Sequence, residues 1–405
     1  MAHYSVHMGF VQRSKGQSAV ASAAYNARAK LEQTVVDKKT GVATTLTFDY
    51  SAKQGLAYSK IYAPDGAPDW VYDREVLWNK AEDAERRQNS RSARKIMVAL
   101  PNELNLEQQI ALVEEIVEEL VGMGMIVDAN IHHDKEGNPH VHLMATTREL
   151  AENRYGEIGF KLTKNRDWSR RAFINWTRMR IAEITNEHLA QYGFNERVSH
   201  LSYKDLGIDL IPGVHEGPAR SIKNAELSEI NRQIALENAQ KIEENPSIIL
   251  DKLAVNKPVF TKEEIARELE KALSAAIDLS GLTGDDIEAF NSEHTQRYQL
   301  LLDKIMISPE LALVTDKDLK DRTLYTTTKR LELEERFISG VEELHNRHNH
   351  SLGLVDSDLD KLSFKEKIVE KVRDTAVAFT MELEERTGLK FKLIDKKPPL
   401  SEEQR

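Results

Sequence analysis

The sequence predicts an α+β fold, in which an antiparallel sheet with helices occupies residues 1–220 and a mostly helical region follows over residues 221–405. Three observations predict it. Residues 128–148 alternate apolar and polar side chains on either side of a turn, as paired strands do. A strand-like run at His3–Phe10 precedes an alanine-rich, helix-favouring run at Gln17–Leu31. Beyond residue 220, polar segments with helical periodicity dominate.

Composition sets broad limits. A chain of 405 residues is expected to form two or three domains with substantial cores. The absence of cysteine excludes disulfides and thiolate metal sites. The sequence contains no run of 18 uncharged apolar residues and no signal-peptide pattern. We therefore expect a cytoplasmic protein that does not insert into a membrane.

The charge is unevenly distributed. The net charge is −10, but residues 1–220 contain 28 Lys and Arg against 29 Asp and Glu, whereas residues 221–405 contain 28 against 37. The first half therefore has a balance of −1 and the second half a balance of −9. The overall acidity does not exclude binding of nucleic acid by the first half.

The first predicted elements are a strand, a turn and a helix. His3–Phe10 is the strand, Val11–Gly16 is a basic turn, and Gln17–Leu31 is the helix, with Tyr25 near its middle. Small neighbours such as Ala21 let this helix lie close to a sheet and leave space around the phenol. A single tyrosine on a helix is usually a packing residue.

Asp128–Arg148 is predicted to be a hairpin, because Lys135–Pro139 contains the turn-forming residues Gly, Asn and Pro. Strand side chains alternate between the two faces of a sheet. Ala129 and Ile131 therefore lie on one face of the first strand, and Val141 lies on the apolar face of the second. We expect this apolar face to cover a core and the helices of the domain to lie on it, opposite the polar face.

The same alternation places three histidines together on the polar face, namely His132, His140 and His142. His133 has the opposite parity and falls on the apolar side at the end of its strand. Three imidazoles so placed can hold one divalent metal and leave coordination positions open for a substrate. The alternative is that the histidines lie on a face that is simply exposed to water.

The sequences of several segments resemble those of a known protein family. Met1–Leu31 is similar to the opening of the MobA/MobL (MOBQ-type) plasmid relaxases, which belong to the histidine–hydrophobe–histidine (HUH) endonuclease superfamily. Val76–Leu104, with LWNKAEDAERR and VALPNEL, resembles a helix and a strand of that family. Asn138–Arg148 resembles its metal motif, and Arg197–Pro218 resembles the close of its relaxase domain. The likeness covers residues 1–220, with the motifs in the family order.

The resemblance implies an activity and a set of site residues. It implies that Tyr25 is the nucleophile that cleaves DNA and that His132, His140 and His142 are the metal ligands. A relaxase nicks one strand at a plasmid origin of transfer, forms a 5′-phosphotyrosine intermediate and rejoins the strand after conjugative transfer. Three imidazoles suit Mn, Ni, Co or Zn, whereas abundance in cells favours Mg or Mn.

The resemblance also implies partners and a location. The DNA substrate is single-stranded DNA at the origin of transfer. Accessory relaxosome proteins and a type IV secretion coupling protein are the expected protein partners. The protein is expected to act in the bacterial cytoplasm and to be exported with the DNA during conjugation.

One position departs from the family pattern. Relatives typically carry glutamates before the ALP sequence, but Lys95 stands where the first of them is expected. An acidic residue there could orient a histidine or accept the tyrosine proton. Glu82, Glu85 or Asp128 could replace it, or the site could be impaired. Alternatively, Lys95 faces solvent or a phosphate.

Basic residues on either side of the site are candidates for DNA contacts. Lys161–Arg180 interleaves basic and aromatic residues, and stacking combined with phosphate contacts holds single strands. The alternative is that Trp168 and Trp176 are core residues and the arginines form a solvated face. The candidate contact residues are Arg13, Lys15, Arg86, Arg87, Arg91, Arg94, Lys95, Arg148, Arg166, Arg170, Arg171 and Arg178.

Residues 221–257 are predicted to form a helical connector, and residues 258–405 a mostly helical region with a winged-helix-like element. Thr261 and Glu264 have the spacing of a capping box at the start of a helix. Leu311–Asn346 suggests a strand pair followed by a helix, and Phe364–Thr387 suggests a further helix.

The order of these elements resembles the segment between relaxase and helicase in fused relaxase–helicase transfer proteins. Leu400–Arg405 resembles the glutamine-containing motif that introduces the first RecD-like motor domain. No phosphate-binding GxxxxGK[ST] loop occurs in the chain, so we expect the N-terminal part of a relaxase–helicase without ATPase activity.

Two other functions fit parts of the pattern. A rolling-circle replication initiator would use the same histidine motif at a replication origin. A catalytically impaired origin-binding protein would explain Lys95. The sequence of the N-terminal segment favours a function in plasmid transfer over one in replication.

Overall fold

The protein is described from a computed structural model. The structure describes five stretches of the chain, which are residues 4–36, 40–214, 222–277, 284–314 and 323–346. The chain divides into two compact units, residues 1–327 and residues 328–405. The described part of the second unit is helix α9 (Thr328–Asn346).

A five-stranded antiparallel sheet is the centre of the N-terminal domain. Its strands are β1 (Val6–Gln12), β4 (Leu56–Tyr62), β5 (Arg91–Ala99), β6 (Val127–His132) and β7 (His140–Thr146). Their spatial order is β1-β5-β7-β6-β4. The predicted hairpin, β6 and β7, therefore lies inside the sheet, with β7 in its middle.

Helices cover both faces of this sheet. They are α1 (Ala19–Ala27) and α2 (Arg74–Asp83) on one face, and α3 (Leu106–Gly122) and α4 (Arg171–Gln191) on the other. Trp78 of α2 donates a hydrogen bond to Asp128, and Tyr62 of β4 donates one to Glu114 of α3, from opposite faces. The expectation of helices on the apolar face alone is therefore wrong, because α1 and α2 cover part of the histidine face.

The pairing of β6 with β7 confirms the predicted parity. His132 pairs with His140 and Asn130 with His142, whereas Ile131 pairs with Val141. Paired residues of an antiparallel sheet project to the same side. Ile131 and Val141 are fully buried on the α3 and α4 face, and the three histidines lie on the α1 and α2 face.

The N-terminal elements have different limits from those predicted. β1 continues to Gln12, so the turn predicted at Val11–Gly16 starts later, with a 3₁₀ turn over Arg13–Lys15. Helix α1 is capped by the Ser18 side chain and ends at Ala27, earlier than predicted. It ends there because Arg28 adopts a left-handed conformation, with φ of 51°.

Two small sheets flank this domain. They are the hairpin of β2 (Lys30–Val36) with β3 (Ala43–Asp49) and the pair of β8 (Leu150–Glu152) with β9 (Ile158–Phe160). The first hairpin follows directly on α1, and its β3 strand is largely exposed.

A second apolar core lies in the region after residue 200. Its elements are α5 (Ile222–Glu244), α6 (Ile248–Asn256), α7 (Lys262–Ser274), α8 (Gly284–Met306), β10 (Leu311–Val314) and β11 (Leu324–Thr327). Phe260 and Leu269 are fully buried in it, together with Leu210 from the preceding segment. Thr261 and Glu264 form the predicted capping box at the start of α7. β10 and β11 form an antiparallel pair, and Phe260 makes a single bridge to Tyr325 of β11.

The predictions at Phe364–Thr387 and Leu400–Arg405 lie outside the described residues. The strand pair and helix predicted within Leu311–Asn346 are present as β10, β11 and α9. In the stretches that the structure describes, every helix is too short or too polar to cross a membrane.

Candidate active site

Three histidine side chains converge at the turn end of the β6–β7 hairpin. Their ring centroids are 5.4 Å apart for His132 and His140, 4.6 Å for His132 and His142, and 5.0 Å for His140 and His142. One nitrogen from each ring lies within 4.8 Å of the others. The strand pairing brings these rings together, because His132 lies opposite His140 and diagonally across from His142.

Burial favours the neutral form of His132 and of His142. His132 is fully buried, and His140 and His142 are half-buried, so the alternative of a simply wet face does not describe the site. Burial lowers the pKa of His132, and burial together with the charges of His132, His140 and Arg28 lowers the pKa of His142 to about 3. Neutral imidazole is the form that binds a metal ion.

The hydrogen bonds of the rings determine which nitrogens carry protons. Nδ1 of His140 lies 2.9 Å from the Asn138 carbonyl oxygen, so it donates there and leaves Nε2 as the acceptor. Nε2 of His132 lies 2.6 Å from the Asn26 carbonyl oxygen and likewise donates. Nδ1 of His132 is then an acceptor, and Arg28 Nη2 lies 3.3 Å from it.

His133 lies outside this cluster. It follows the last residue of β6 and is exposed, and its Nε2 lies 2.7 Å from Oε1 of Gln109 on α3. Its backbone N–H donates to the Gly55 carbonyl. The parity prediction thus separated the histidine that faces α3 from the three that meet on the other face.

Tyr25 lies on the last turn of α1 at the edge of the histidine cluster. Its ring centroid is 6.3 Å from that of His142, and 36% of its surface is exposed. The ring is in edge contact with Tyr50, with 5.4 Å between centroids. Lys53 Nζ lies 4.4 Å from the ring centroid, and the Arg28 guanidinium carbon lies 4.6 Å from it. The exposed Tyr25 side chain thus has two cations and the histidine cluster as neighbours.

Arg28, Tyr50 and Lys53 are site residues that the sequence reasoning missed. Tyr50 and Lys53 follow β3, which was not predicted, and the Tyr50 N–H donates to the Ala29 carbonyl. This bond brings the loop back to the end of α1. Asn26 precedes Arg28 by two residues, but no pattern in the sequence marks a helix end at Arg28.

The three carboxylates considered as replacements for the family glutamate have other partners. Glu82 accepts from the Ala19 N–H at the start of α1 and from Arg13, at 2.6 and 2.7 Å. Glu85 accepts from Arg148 at 3.2 Å and from Lys164 at 2.8 Å.

Asp128 is fully buried beneath α2. It accepts two hydrogen bonds from Arg74, at 2.8 and 2.9 Å, and one from Trp78 at 3.0 Å. Asn130, which lies opposite His142 in the strand pairing, also donates a hydrogen bond to Asp128. These bonds make Asp128 part of the support beneath the histidines.

Asp134 is the carboxylate whose charge acts on the cluster. Its Oδ2 lies 3.4 Å from Arg28 Nη2. Its charge tends to raise the pKa of His132 and of His142, although burial is the larger effect and the net pKa of each is lowered.

Lys95 lies on the histidine face of the sheet. It pairs with Met144, and Met97, two residues further along β5, pairs with His142. Met97 is 38% exposed and His7, its partner on β1, is also exposed. The sheet face beside His142 is therefore open, and Lys95 lies along this open strip.

The basic candidates fall into two groups. Arg94 is buried and donates to the Trp168 carbonyl, while Arg13 and Arg148 are held by Glu82 and Glu85. Burial lowers the pKa of Arg94 to about 10. These three arginines stabilise the domain internally. The exposed candidates are Lys15, Arg86, Arg87, Arg91, Arg166, Arg170 and Arg171, and the two remaining candidates, Lys95 and Arg178, are half-buried.

Trp168 and Trp176 are both buried. Trp176 packs against Phe173 of the same helix, with 6.2 Å between ring centroids. The core interpretation of these tryptophans is therefore the one that the structure supports.

The donor set of the cluster fits a divalent metal. Three imidazoles whose nitrogens lie within 4.8 Å of one another can converge on one ion. His140 already offers Nε2 as an acceptor, and the pKa of His142 leaves it neutral at pH 7. His132 requires a further change, because Arg28 occupies its accepting nitrogen.

Comparison with known proteins gives several matches. The conjugal transfer protein TraA of Agrobacterium fabrum is 34% identical over 67% of this chain and 27% of its own length. The probable conjugal transfer protein TraA of Sinorhizobium fredii is 30% identical over 86% of this chain and 33% of its own length. A solved structure on the molecular basis of vancomycin resistance transfer in Staphylococcus aureus is 40% identical over 50% of this chain, with a TM-score of 0.43.

The chain spans about a third or less of the TraA proteins that it matches. Residues 17–225, just over half of the chain, match the model of the MobA/MobL family. This match includes Tyr25, the β6–β7 hairpin and the whole histidine cluster. The chain belongs to the MobA/MobL family.

Proposed function

We propose that this chain carries a relaxase domain that nicks one DNA strand at a plasmid origin of transfer and rejoins it after transfer. The observation that carries the proposal is the position of Tyr25, an exposed phenol whose ring lies 6.3 Å from that of His142. Membership of a family that includes conjugal transfer and mobilisation proteins supports the same role.

The proposed reaction is an exchange of phosphodiester bonds at Tyr25. The phenolic oxygen attacks the scissile phosphorus, and the bond from phosphorus to the 3′ oxygen breaks. The tyrosine loses its proton, the 3′ oxygen gains one, and the 5′ end stays attached as a phosphotyrosine. Attack by a 3′-hydroxyl on this phosphotyrosine reverses the step and reseals the strand, so no external energy source is needed.

His132, His140 and His142 are the residues that would hold a divalent ion, for which Mg or Mn is the proposed identity in cells. When bound, such an ion supplies a positive charge that polarises the scissile phosphate and offsets its developing negative charge. Burial lowers the pKa of His132 and of His142, and this favours the neutral form that binds a metal ion. The Asp128 network beneath them fixes the strands on which they lie.

One cation beside Tyr25 and one on the histidine face of the sheet are suited to bind phosphates near the nick. Lys53 lies against the Tyr25 ring, and Lys95 lies along the open strip of sheet beside His142. An extended single strand could lie along this strip, which ends at the histidines. Exposed residues such as Lys15, Arg87 and Arg171 could extend the contact with DNA, in a salt-dependent manner.

We also propose that residues 258–405 contain a winged-helix-like element. Three helices, α6, α7 and α8, precede the β10–β11 hairpin, and Phe260 adds a bridge to its second strand. The winged-helix proposal is supported by this order and by the shared core. Relaxosome proteins, a type IV coupling protein and export with DNA remain proposals for the whole transfer protein.

A cleavage experiment tests the proposed function. Labelled single-stranded oligonucleotides that tile the transfer origin and the replication origin of the same replicon are incubated with protein and Mn²⁺. We expect a covalent protein–DNA adduct only with the transfer-origin strand, and none when EDTA removes the metal. Cleavage at the replication origin would favour a rolling-circle initiator, and binding without cleavage would favour an impaired origin-binding protein.

A further inference from the structure

We propose that the Arg28 guanidinium and a divalent cation compete for Nδ1 of His132. In this view Arg28 is a positioning residue that holds the histidine cluster and Tyr25 together while no metal is bound. The inference rests on the proposed function only in taking the three histidines as a metal site. It concerns the contact between Arg28 and His132.

Arg28 joins the end of α1 to the histidine cluster. Its Nη1 donates to the Tyr25 carbonyl at 3.0 Å, and its guanidinium carbon lies 4.6 Å from the centroid of the Tyr25 ring. Its Nη2 lies 3.3 Å from His132 Nδ1 and 3.4 Å from Asp134 Oδ2. One side chain therefore contacts the candidate nucleophile, a candidate ligand and the nearby carboxylate.

The protonation of His132 follows from these contacts. Arginine can only donate hydrogen bonds, so Nδ1 of His132 must accept. The Asn26 carbonyl can only accept, so Nε2 of His132 must carry the proton. Both ring nitrogens are engaged within the protein. His132 can offer a lone pair to a metal through Nδ1 only if Arg28 withdraws from it.

The other two histidines do not have this constraint. His140 donates through Nδ1 to the Asn138 carbonyl and keeps Nε2 as an acceptor. His140 and His142 can therefore bind an ion without losing a bond to a charged group. Competition is confined to His132, which makes the effect of Arg28 separable from that of the other ligands.

The contacts of Arg28 hold it in an unfavourable backbone conformation. Among the residues that the structure describes, Arg28 is the only one other than glycine with a positive φ, at 51°. Side chains other than glycine seldom adopt this conformation, and it is found mainly where surrounding contacts require it. The residue is only 9% exposed, and its Nε is buried without a partner. A glycine would adopt this backbone conformation at lower cost. We therefore attribute the arginine at this position to the contacts that its side chain makes.

Metal binding is the measurement that tests the competition. Mn²⁺ is titrated into the metal-free full chain by calorimetry, without DNA, for the wild type and for Arg28→Gln and Arg28→Gly. We expect Mn²⁺ to bind about tenfold more tightly to both variants, the size of one lost hydrogen bond from a charged donor. Arg28→Gly fits the φ of 51°, so it provides a folded protein if Arg28→Gln does not.

Lys53→Gln is the matched control. It removes one positive charge beside Tyr25, as Arg28→Gln does, but Lys53 contacts the aromatic rings rather than His132. We expect it to raise Mn²⁺ affinity less than about twofold, the scale of a partly screened charge. Equal tightening in Lys53→Gln and Arg28→Gln would overturn the proposal in favour of a general charge effect. Unchanged affinity in both Arg28 variants would also overturn it.

Nitrogen NMR of the histidine rings provides a second readout. In the metal-free wild type, His132 is expected to carry its proton on Nε2, and Mn²⁺ is replaced by diamagnetic Zn²⁺ to follow the change on binding. A proton on Nδ1 of His132 in the metal-free protein would contradict the proposal. If no metal binds to the wild type or to either Arg28 variant, the proposed metal site and this inference both fail. If metal binds equally to all three, only this inference fails.

Discussion

The two faces of the central sheet are built from alternate residues of the same strands, and they differ in what those residues contact. On one face, Ile131, Val141 and Leu143 are buried in an apolar core that α3 covers. On the other, His132 and His142 meet beneath α1 among charged and polar groups. Neighbouring residues in the sequence can therefore serve stability and chemistry independently.

The polar face has its own support. The buried Asp128 carboxylate accepts hydrogen bonds from Arg74, Trp78 and Asn130, so it is fully compensated. The Arg28 side chain connects the end of α1 to His132. Hydrogen bonds to fixed partners therefore organise the histidine face, whereas packing organises the opposite face. Substitutions of adjacent residues on one strand should therefore affect either metal binding or folding stability, depending on the face.

The largest expected effect is that of Tyr25→Phe on covalent attachment to DNA. The change deletes the attacking oxygen, so adduct formation should fall on the order of 10⁴-fold or more, with binding of uncleaved DNA nearly unchanged. The measurement is single-turnover adduct formation on labelled origin-strand DNA. Tyr50→Phe is the control, because its ring lies 5.4 Å from that of Tyr25. If Tyr50→Phe lost the adduct and Tyr25→Phe kept it, Tyr50 would be identified as the nucleophile.

The adjacent pair His142→Ala and Leu143→Ala tests the difference between the faces directly. His142→Ala should lower Mn²⁺ affinity on the order of 10²-fold and lower the free energy of unfolding by about 1 kcal/mol or less. Leu143→Ala should lower the free energy of unfolding by about 2–5 kcal/mol and leave Mn²⁺ affinity of the folded protein unchanged. Calorimetry and denaturant unfolding measure the two quantities. Similar losses of Mn²⁺ affinity in both variants would show that the two faces do not act independently.

The pair His132→Ala and His133→Ala tests the strand parity. His132→Ala should reduce Mn²⁺ affinity and cleavage about as much as His142→Ala does. His133→Ala should remove only its hydrogen bond to Gln109, at about 1 kcal/mol, with little effect on the metal. A severe loss of metal in His133→Ala and a mild one in His132→Ala would show that the pairing of β6 with β7 is shifted in solution.

Lys95→Glu tests whether the site lacks an acidic group. If an acidic side chain near the histidines helps Tyr25 lose its proton, the variant should cleave faster, by about 10²-fold. Lys15→Glu makes the same charge change at an exposed position and controls for weaker DNA binding. Single-turnover cleavage of a preformed complex isolates the chemical step. If the wild type already cleaves fast and Lys95→Glu leaves the rate unchanged, the site is not impaired. Slower cleavage by Asp134→Asn would assign the acidic role to Asp134.

The sequence alone was sufficient for the hairpin and its histidines. Alternation of side chains along a strand is a local property, so the parity of His132, His133 and His142 could be read without knowledge of the rest of the fold. The capping box of Thr261 and Glu264 is local in the same sense, and it is present.

What the sequence could not provide depends on contacts between distant segments. Arg28 is 104 residues from His132 in the chain, and its left-handed backbone is imposed by those contacts. The same holds for Asp128, which was considered as a base but is compensated by Arg74 across 54 residues. Covering of the histidine face by α1 and α2 was also missed, because it depends on how the helices return to the sheet.

Mapping the covalent DNA adduct by mass spectrometry tests the central claim most directly. Trypsin cuts after Lys15 and Arg28, so the peptide Gly16–Arg28 contains Tyr25 as its only tyrosine, and Thr40–Lys53 contains Tyr50 as its only tyrosine. After nuclease trimming of the complex with origin-strand DNA, the account predicts a nucleotide mass on Gly16–Arg28, attached to Tyr25 through a 5′ phosphate. A nucleotide on Thr40–Lys53, or cleaved DNA with no nucleotide on any peptide, would contradict it.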